Sequence, residues 1–100
     1  MKLWLDDKRT PPDKYDCWIK NADDCIRILL NIPVTEISLD HDLGENSETG
    51  YTVAMWIEEA AYSCTLPQLK WHVHSQNPVG KKKITDALHN ADKYWKEHGG

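Results

Sequence analysis

Leu69-Lys70-Trp71-His72-Val73-His74-Ser75-Gln76-Asn77-Pro78-Val79-Gly80 passes from extended to helical chain within one short stretch. Residues 69–75 read as a strand, and Asn77 then supplies an N-cap. Pro78 takes the first helical position, where its missing N–H costs nothing, and Ile84, Leu88, Ala91 and Trp95 recur along one helix face. A strand feeding a helix is half of a β-α repeat, so the same unit is expected upstream. Residues 36–40 form such a strand, followed by a helix over residues 51–63 with Val53, Trp56, Ile57, Ala60 and Ala61 on its apolar face. Residues 2–6 and 15–20 give two more strands, the second at an edge. Asn21 caps the helix that follows, Asp23 and Asp24 suit its positive first turn, and Cys25, Ile26, Leu29 and Leu30 form its expected buried stripe.

The order β-β-α-β-α-β-α predicts an α/β fold built on a four-stranded, mostly parallel sheet with three helices. Breaks fall at Thr10-Pro11-Pro12, Ile32-Pro33, residues 44–50, Leu66-Pro67 and Asn77-Pro78. Residues 8–14 are too few for the helical crossover that parallel strands normally need. The second strand is therefore either antiparallel to the first or joined to it by an extended loop.

With 100 residues the chain suits one domain over 1–100, and a 40% hydrophobic share with five tryptophans suits a packed core rather than disorder. The longest apolar runs fall far short of the roughly 20 residues of a membrane span. Asp6 and Asp7 come too early for the apolar core of a signal peptide, which predicts a cytoplasmic protein. Cys17, Cys25 and Cys64 form no Cys-x-x-Cys pair and are expected to be buried, reduced thiols. The net charge of -4 argues against coating duplex nucleic acid, but leaves room for a small anionic ligand in a local basic pocket.

Asp6 and Asp7 end the first strand, while Asp40 ends the third with His41 and Asp42 beside it. If those strands are neighbours, the carboxylates converge at the topological switch point where α/β sheets bind ligands. Carboxylates so close repel one another unless a cation intervenes, and an all-oxygen set suits Mg²⁺. The plainer alternative makes Asp6 and Asp7 turn formers and Asp42 a loop cap. His72 and His74 share a strand face, and His74, nearer the strand end, suits proton transfer or metal ligation; the competing reading is a hydrogen-bonded core histidine. His89 and His98 are expected at the surface. The helix opening at Asn77 offers free amides to an anion, with Lys81 in its first turns, although the run Lys81-Lys82-Lys83 also fits a solvated face. Arg9 can present a guanidinium fork to a phosphate.

The acids on strands one and three, followed by Ser75 after strand four, resemble the receiver domains of two-component signalling. That resemblance implies that Asp6 and Asp7 bind Mg²⁺, Asp40 accepts a phosphoryl group and Ser75 contacts it. The chain departs from that family in having no helix between strands one and two and no fifth strand to supply its lysine. It more closely resembles the cyclic-phosphate processing receiver domain of bacteria and phages. The matching stretches are Leu3-Trp4-Leu5-Asp6-Asp7-Lys8-Arg9, Ile37-Ser38-Leu39-Asp40-His41-Asp42-Leu43-Gly44, Gly50-Tyr51 and Val73-His74-Ser75-Gln76-Asn77-Pro78-Val79-Gly80. This implies a truncated receiver-like (flavodoxin-like) three-layer fold and a role on cyclic phosphates, in RNA end repair or nucleotide signalling.

The leading functional expectation is a metal-assisted phosphoesterase acting on a cyclic phosphate of a nucleotide or RNA end. Asp6, Asp7 and Asp40 would hold Mg²⁺ or a similar ion, and His74, with His41, would shuttle protons. Arg9, Ser75, Asn77 and Lys81 would hold the phosphate, and Asp40 could instead attack directly. A non-catalytic binder of a phosphate-bearing signal would need a base-stacking aromatic, with Trp4, Trp18, Tyr51 and Tyr62 as candidates. A degenerate receiver serving as a protein interaction module is the third reading.

Overall fold

A computed structural model describes residues 1–44 and 47–98. The break expected over residues 44–50 therefore lies partly outside the described residues. Four strands, β1 (Lys2–Leu5), β2 (Cys17–Ile19), β3 (Glu36–Leu39) and β4 (Lys70–Val73), form one sheet in the order β2-β1-β3-β4. Every pairing is parallel, which settles the direction of β2: residues 6–16 connect it to β1 as a loop with a turn at Asp13–Lys14 and no helix. The helices are α1 (Ala22–Asn31), α2 (Gly50–Tyr62) and α3 (Pro78–Glu97). Their starts follow the expected chemistry. Asn21 accepts from the Asp24 N–H, Thr49 from the Tyr51 N–H and Asn77 from the Gly80 N–H, each satisfying a donor that the helix itself leaves open.

Strand side chains alternate between faces, and the two faces of this sheet are unlike each other. Leu3, Leu5, Ile19, Ile37 and Leu39 join Cys25, Leu29, Val53, Ile57, Ile84, Leu88 and Trp95 from the three helices in one apolar core. Each such aliphatic side chain contributes about 1.5–3 kcal/mol on burial. All three helices thus lie on one face. Trp4 points the other way, buried against Tyr15 and His74, with its indole N–H donating to the Arg9 carbonyl at 2.8 Å. The layer on this second face is that loop, not a helix. A right-handed crossover from β1 back to β2 must cross that face, whereas the crossovers β2-α1-β3 and β3-α2-β4 run the opposite way along the sheet and share the first.

Two expectations about burial need correction. Leu30 is 66% exposed, because α1 turns only Ala22, Cys25 and Leu29 fully inward. Of the cysteines, Cys25 alone is buried, and burial pushes its thiol up to about 12; Cys17 is half-buried and Cys64 exposed, all three being free. Among the described residues no helix is long and apolar enough to cross a membrane.

Candidate active site

Leu5, Leu39 and Val73 are aligned in the parallel register. The ladder runs one residue further: the Asp40 N–H donates to the Leu5 carbonyl at 3.0 Å and the His74 N–H to the Leu39 carbonyl at 3.1 Å. Asp6 is tied in from the other side, its N–H donating to the Ile19 carbonyl at 3.0 Å. Since the three preceding side chains enter the core, Asp6, Asp40 and His74 emerge together on the helix-free face at the carboxyl edge of the sheet. Each offers a ligand atom within 4.8 Å of the others, so the three can hold a metal ion.

Asp6 is almost fully buried. Its Oδ1 accepts from the N–H groups of Lys8 at 2.8 Å and Arg9 at 2.9 Å, and its Oδ2 lies 3.0 Å from His74 Nε2. Burial pushes the Asp6 carboxyl up, but the Arg9 and Lys8 amides and the imidazole together outweigh it and hold the group below the usual carboxylate range. His74 Nδ1 lies 2.7 Å from the hydroxyl of Ser38, itself buried, and the imidazole stacks on Trp4 with centroids 3.8 Å apart and planes 8° from parallel. Burial lowers the imidazole's affinity for a proton more than the Asp6 and Asp40 carboxylates raise it, so the ring is held below its ordinary pKa. In the neutral ring one nitrogen carries the proton and the other accepts.

A cleft of about 540 Å³ opens over this edge, lined by Asp6, Asp7, Lys8, Arg9, Asp40, Asp42, Leu43, Gly44, Thr49 and Gln76. Arg9 is exposed at its rim and steadied by donation to the His74 carbonyl at 3.1 Å. The loop after Asp40 is fixed by close packing. The Gly50 N–H donates to the His41 carbonyl at 2.9 Å, and a Cβ at Gly50 would run into the Asp40 carbonyl oxygen. His41 lies against Gly80 of α3, where a Cβ would meet its ring, and its Nδ1 is 2.8 Å from Asp42. That hydrogen bond holds the Asp42 carboxyl below its usual range.

Of the residues singled out from sequence, the cleft brings together Asp6, Asp7, Arg9 and Asp40, with His74 beneath. Ser75, Asn77 and Lys81 stand outside its lining. Ser75 is buried and its hydroxyl accepts from the Asn77 N–H at 3.1 Å, while Asn77 caps α3 and reaches toward Asp42. Lys81 is exposed on the first turn of α3. His72 belongs to the opposite edge, 3.2 Å from Glu36. Sequence reasoning passed over Lys8, Thr49, Gln76 and Ser38. Ser38 carried a usable signal, since it shares the strand face of Asp40 two residues away.

A profile of the cyclic-phosphate processing receiver domain matches residues 1–90. The chain belongs to this family. The match takes in all four strands and every residue of the cleft. No curated protein and no solved structure matches the chain.

Proposed function

We propose that this receiver-like domain is a metal-assisted phosphoesterase that opens a cyclic phosphate on a nucleotide or an RNA end. The observation that carries the reading is the convergence of Asp6, Asp40 and His74 at the carboxyl edge of the sheet, beside a cleft lined by Asp6, Asp40, Lys8 and Arg9, in a chain of the cyclic-phosphate processing family. A divalent ion held by Asp6 and Asp40 would polarise a phosphoryl oxygen and make bound water acidic; Asp7, expected to share the ion, lines the cleft but is not among the three grouped ligands. Arg9 suits a phosphate because its fork offers two parallel donors, and anchorage to the His74 carbonyl lowers the entropy lost on binding. Lys8 adds positive charge beside it. His74 can give or take a proton only while its ring is free of the ion, and His41, linked to Asp42, is the candidate when it is not. The partner in this reading is a single phosphate-bearing ligand.

Incubation with 2′,3′- and 3′,5′-cyclic nucleotides and with RNA ending in a 2′,3′-cyclic phosphate, with and without chelator, tests the proposal. The expected result is ring opening that chelator abolishes and a divalent salt restores. Tight binding without turnover would transfer the site to a sequestering protein, and neither binding nor turnover would leave an interaction module.

A further inference from the structure

We infer that the ion at this site is bound through nitrogen as well as oxygen, His74 Nε2 joining Asp6 and Asp40, and that the site therefore takes a borderline transition-metal ion in preference to Mg²⁺. The inference rests on the metal-dependent reading above and names its ion class. Three features carry it. First, the imidazole is positioned as a ligand: Nε2 sits 3.0 Å from Asp6 Oδ2, and the atoms offered by Asp6, Asp40 and His74 all fall within 4.8 Å. Second, the ring cannot readily turn away, being stacked on Trp4 and only 13% exposed. Third, the far nitrogen has the partner that ligating histidines need. Ser38 Oγ lies 2.7 Å from Nδ1, buried on the strand between β1 and β4.

A hydroxyl is the right partner because it can donate or accept. Without an ion, Nε2–H donates to Asp6 and Ser38 donates to Nδ1. With an ion on Nε2, the proton moves to Nδ1 and Ser38 accepts it; the imidazole stays neutral throughout, and no charge is created in the buried floor. A carboxylate at position 38 would accept only, and would add another negative charge. Two carboxylates and an imidazole suit Mn²⁺, Co²⁺ or Zn²⁺, whereas Mg²⁺ favours oxygen and keeps much of its water.

The test is calorimetric titration of the metal-free protein with Co²⁺ and separately with Mg²⁺, without substrate, in the wild type, His74→Phe and Ser38→Ala. His74→Phe keeps the stack on Trp4, and Ser38→Ala leaves all three ligands in place. Since N/O sites in general favour Co²⁺, the deciding quantity is the change on substitution. The expectation is a loss of roughly 10–100-fold in Co²⁺ affinity for Ser38→Ala and at least that for His74→Phe, with Mg²⁺ affinity changed less than about threefold. The wild-type Co²⁺ form should also show one hyperfine-shifted proton signal that vanishes in D₂O, the Nδ1–H facing Ser38. This readout holds even if His74→Phe does not fold. Equal losses for both ions, or a Co²⁺ form without that exchangeable signal, would overturn the nitrogen ligand and leave metal-assisted chemistry standing. Failure of the wild type to bind either ion would overturn both.

Discussion

Gly50→Ala should destabilise the protein markedly although alanine is the better helix former. At the start of α2 the new methyl group would gain roughly 0.5–1 kcal/mol from reduced backbone entropy. Against this, it would enter the space of the Asp40 carbonyl oxygen, a main-chain atom held in the sheet by the Asp40 N–H to Leu5 bond. No side chain can rotate aside, so α2 or the strand end must shift, at an overpacking cost of about 1–3 kcal/mol. The net loss, up to about 2.5 kcal/mol, corresponds to a Tm lower by up to roughly 20 °C for a domain of this size. Gly80→Ala is the control. Its methyl group meets the ring of partly buried His41, a side chain that must move and give up its contact with exposed Asp42, at a cost below that of moving main chain. Thermal and urea unfolding of both variants should therefore rank Gly50→Ala well below Gly80→Ala, and Gly50→Ala should also weaken divalent binding because Asp40 moves. Equal stability of the two, or a Gly50→Ala variant as stable as the wild type, would refute the argument that the main chain at Asp40 is fixed.

Asp40→Asn removes one charge from the carboxylate cluster, so without metal the Tm should hold or rise while divalent affinity falls, both read from thermal shift with and without added ion. Because the Asp6 carboxyl is held low in the folded state, its stabilising contribution is complete above the ordinary carboxylate range and is lost as pH falls through the lower folded value. Tm measured from about pH 5 down to about 2 should therefore drop more steeply in the wild type than in Asp6→Asn; parallel curves would remove Asp6 as a contributor. His74→Ala should lower cyclic-phosphate turnover by roughly 10²–10⁴ at saturating substrate if the ring moves a proton, a loss that added divalent ion leaves in place, whereas recovery with the ion would mark the ring as a ligand alone. An unchanged saturating rate with weaker binding would limit His74 to ligand binding.

The elements were legible because their signals are local. Asn21, Asn77 and Pro78 mark helix starts that the structure repeats, and Ile84, Leu88, Ala91 and Trp95 are all buried as their spacing requires. The direction of β2 was not legible, since residues 6–16 form few regular hydrogen bonds and periodicity says nothing about a connection without a helix. Leu30 was misjudged because its spacing fits the apolar stripe, yet the helix axis turns that position to solvent. At the site, the convergence of Asp6 and Asp40 follows from β1 and β3 being parallel neighbours, which the sequence offered as a condition drawn from the receiver-like resemblance and the sheet order meets. The cleft's use of Lys8, Thr49 and Gln76 depends on loop paths that no local rule encodes. The link between Ser38 and His74 spans neighbouring strands, so it appears only once register is known.

No residue of the segment that crosses the helix-free face enters the apolar core, yet that segment supplies Asp7, Lys8 and Arg9 to the cleft. The strap thus adds to the cleft without adding to the core, whereas Leu43 belongs to both. Substitutions at residues 10–13 can drift at little cost to the helical layer, provided that Lys8 and Arg9 still offer their N–H groups to Asp6, Arg9 its carbonyl to Trp4, and Lys14 its contact with Glu36. The strap is therefore the part of the cleft wall whose side chains can change with the least effect on the packing of the helices.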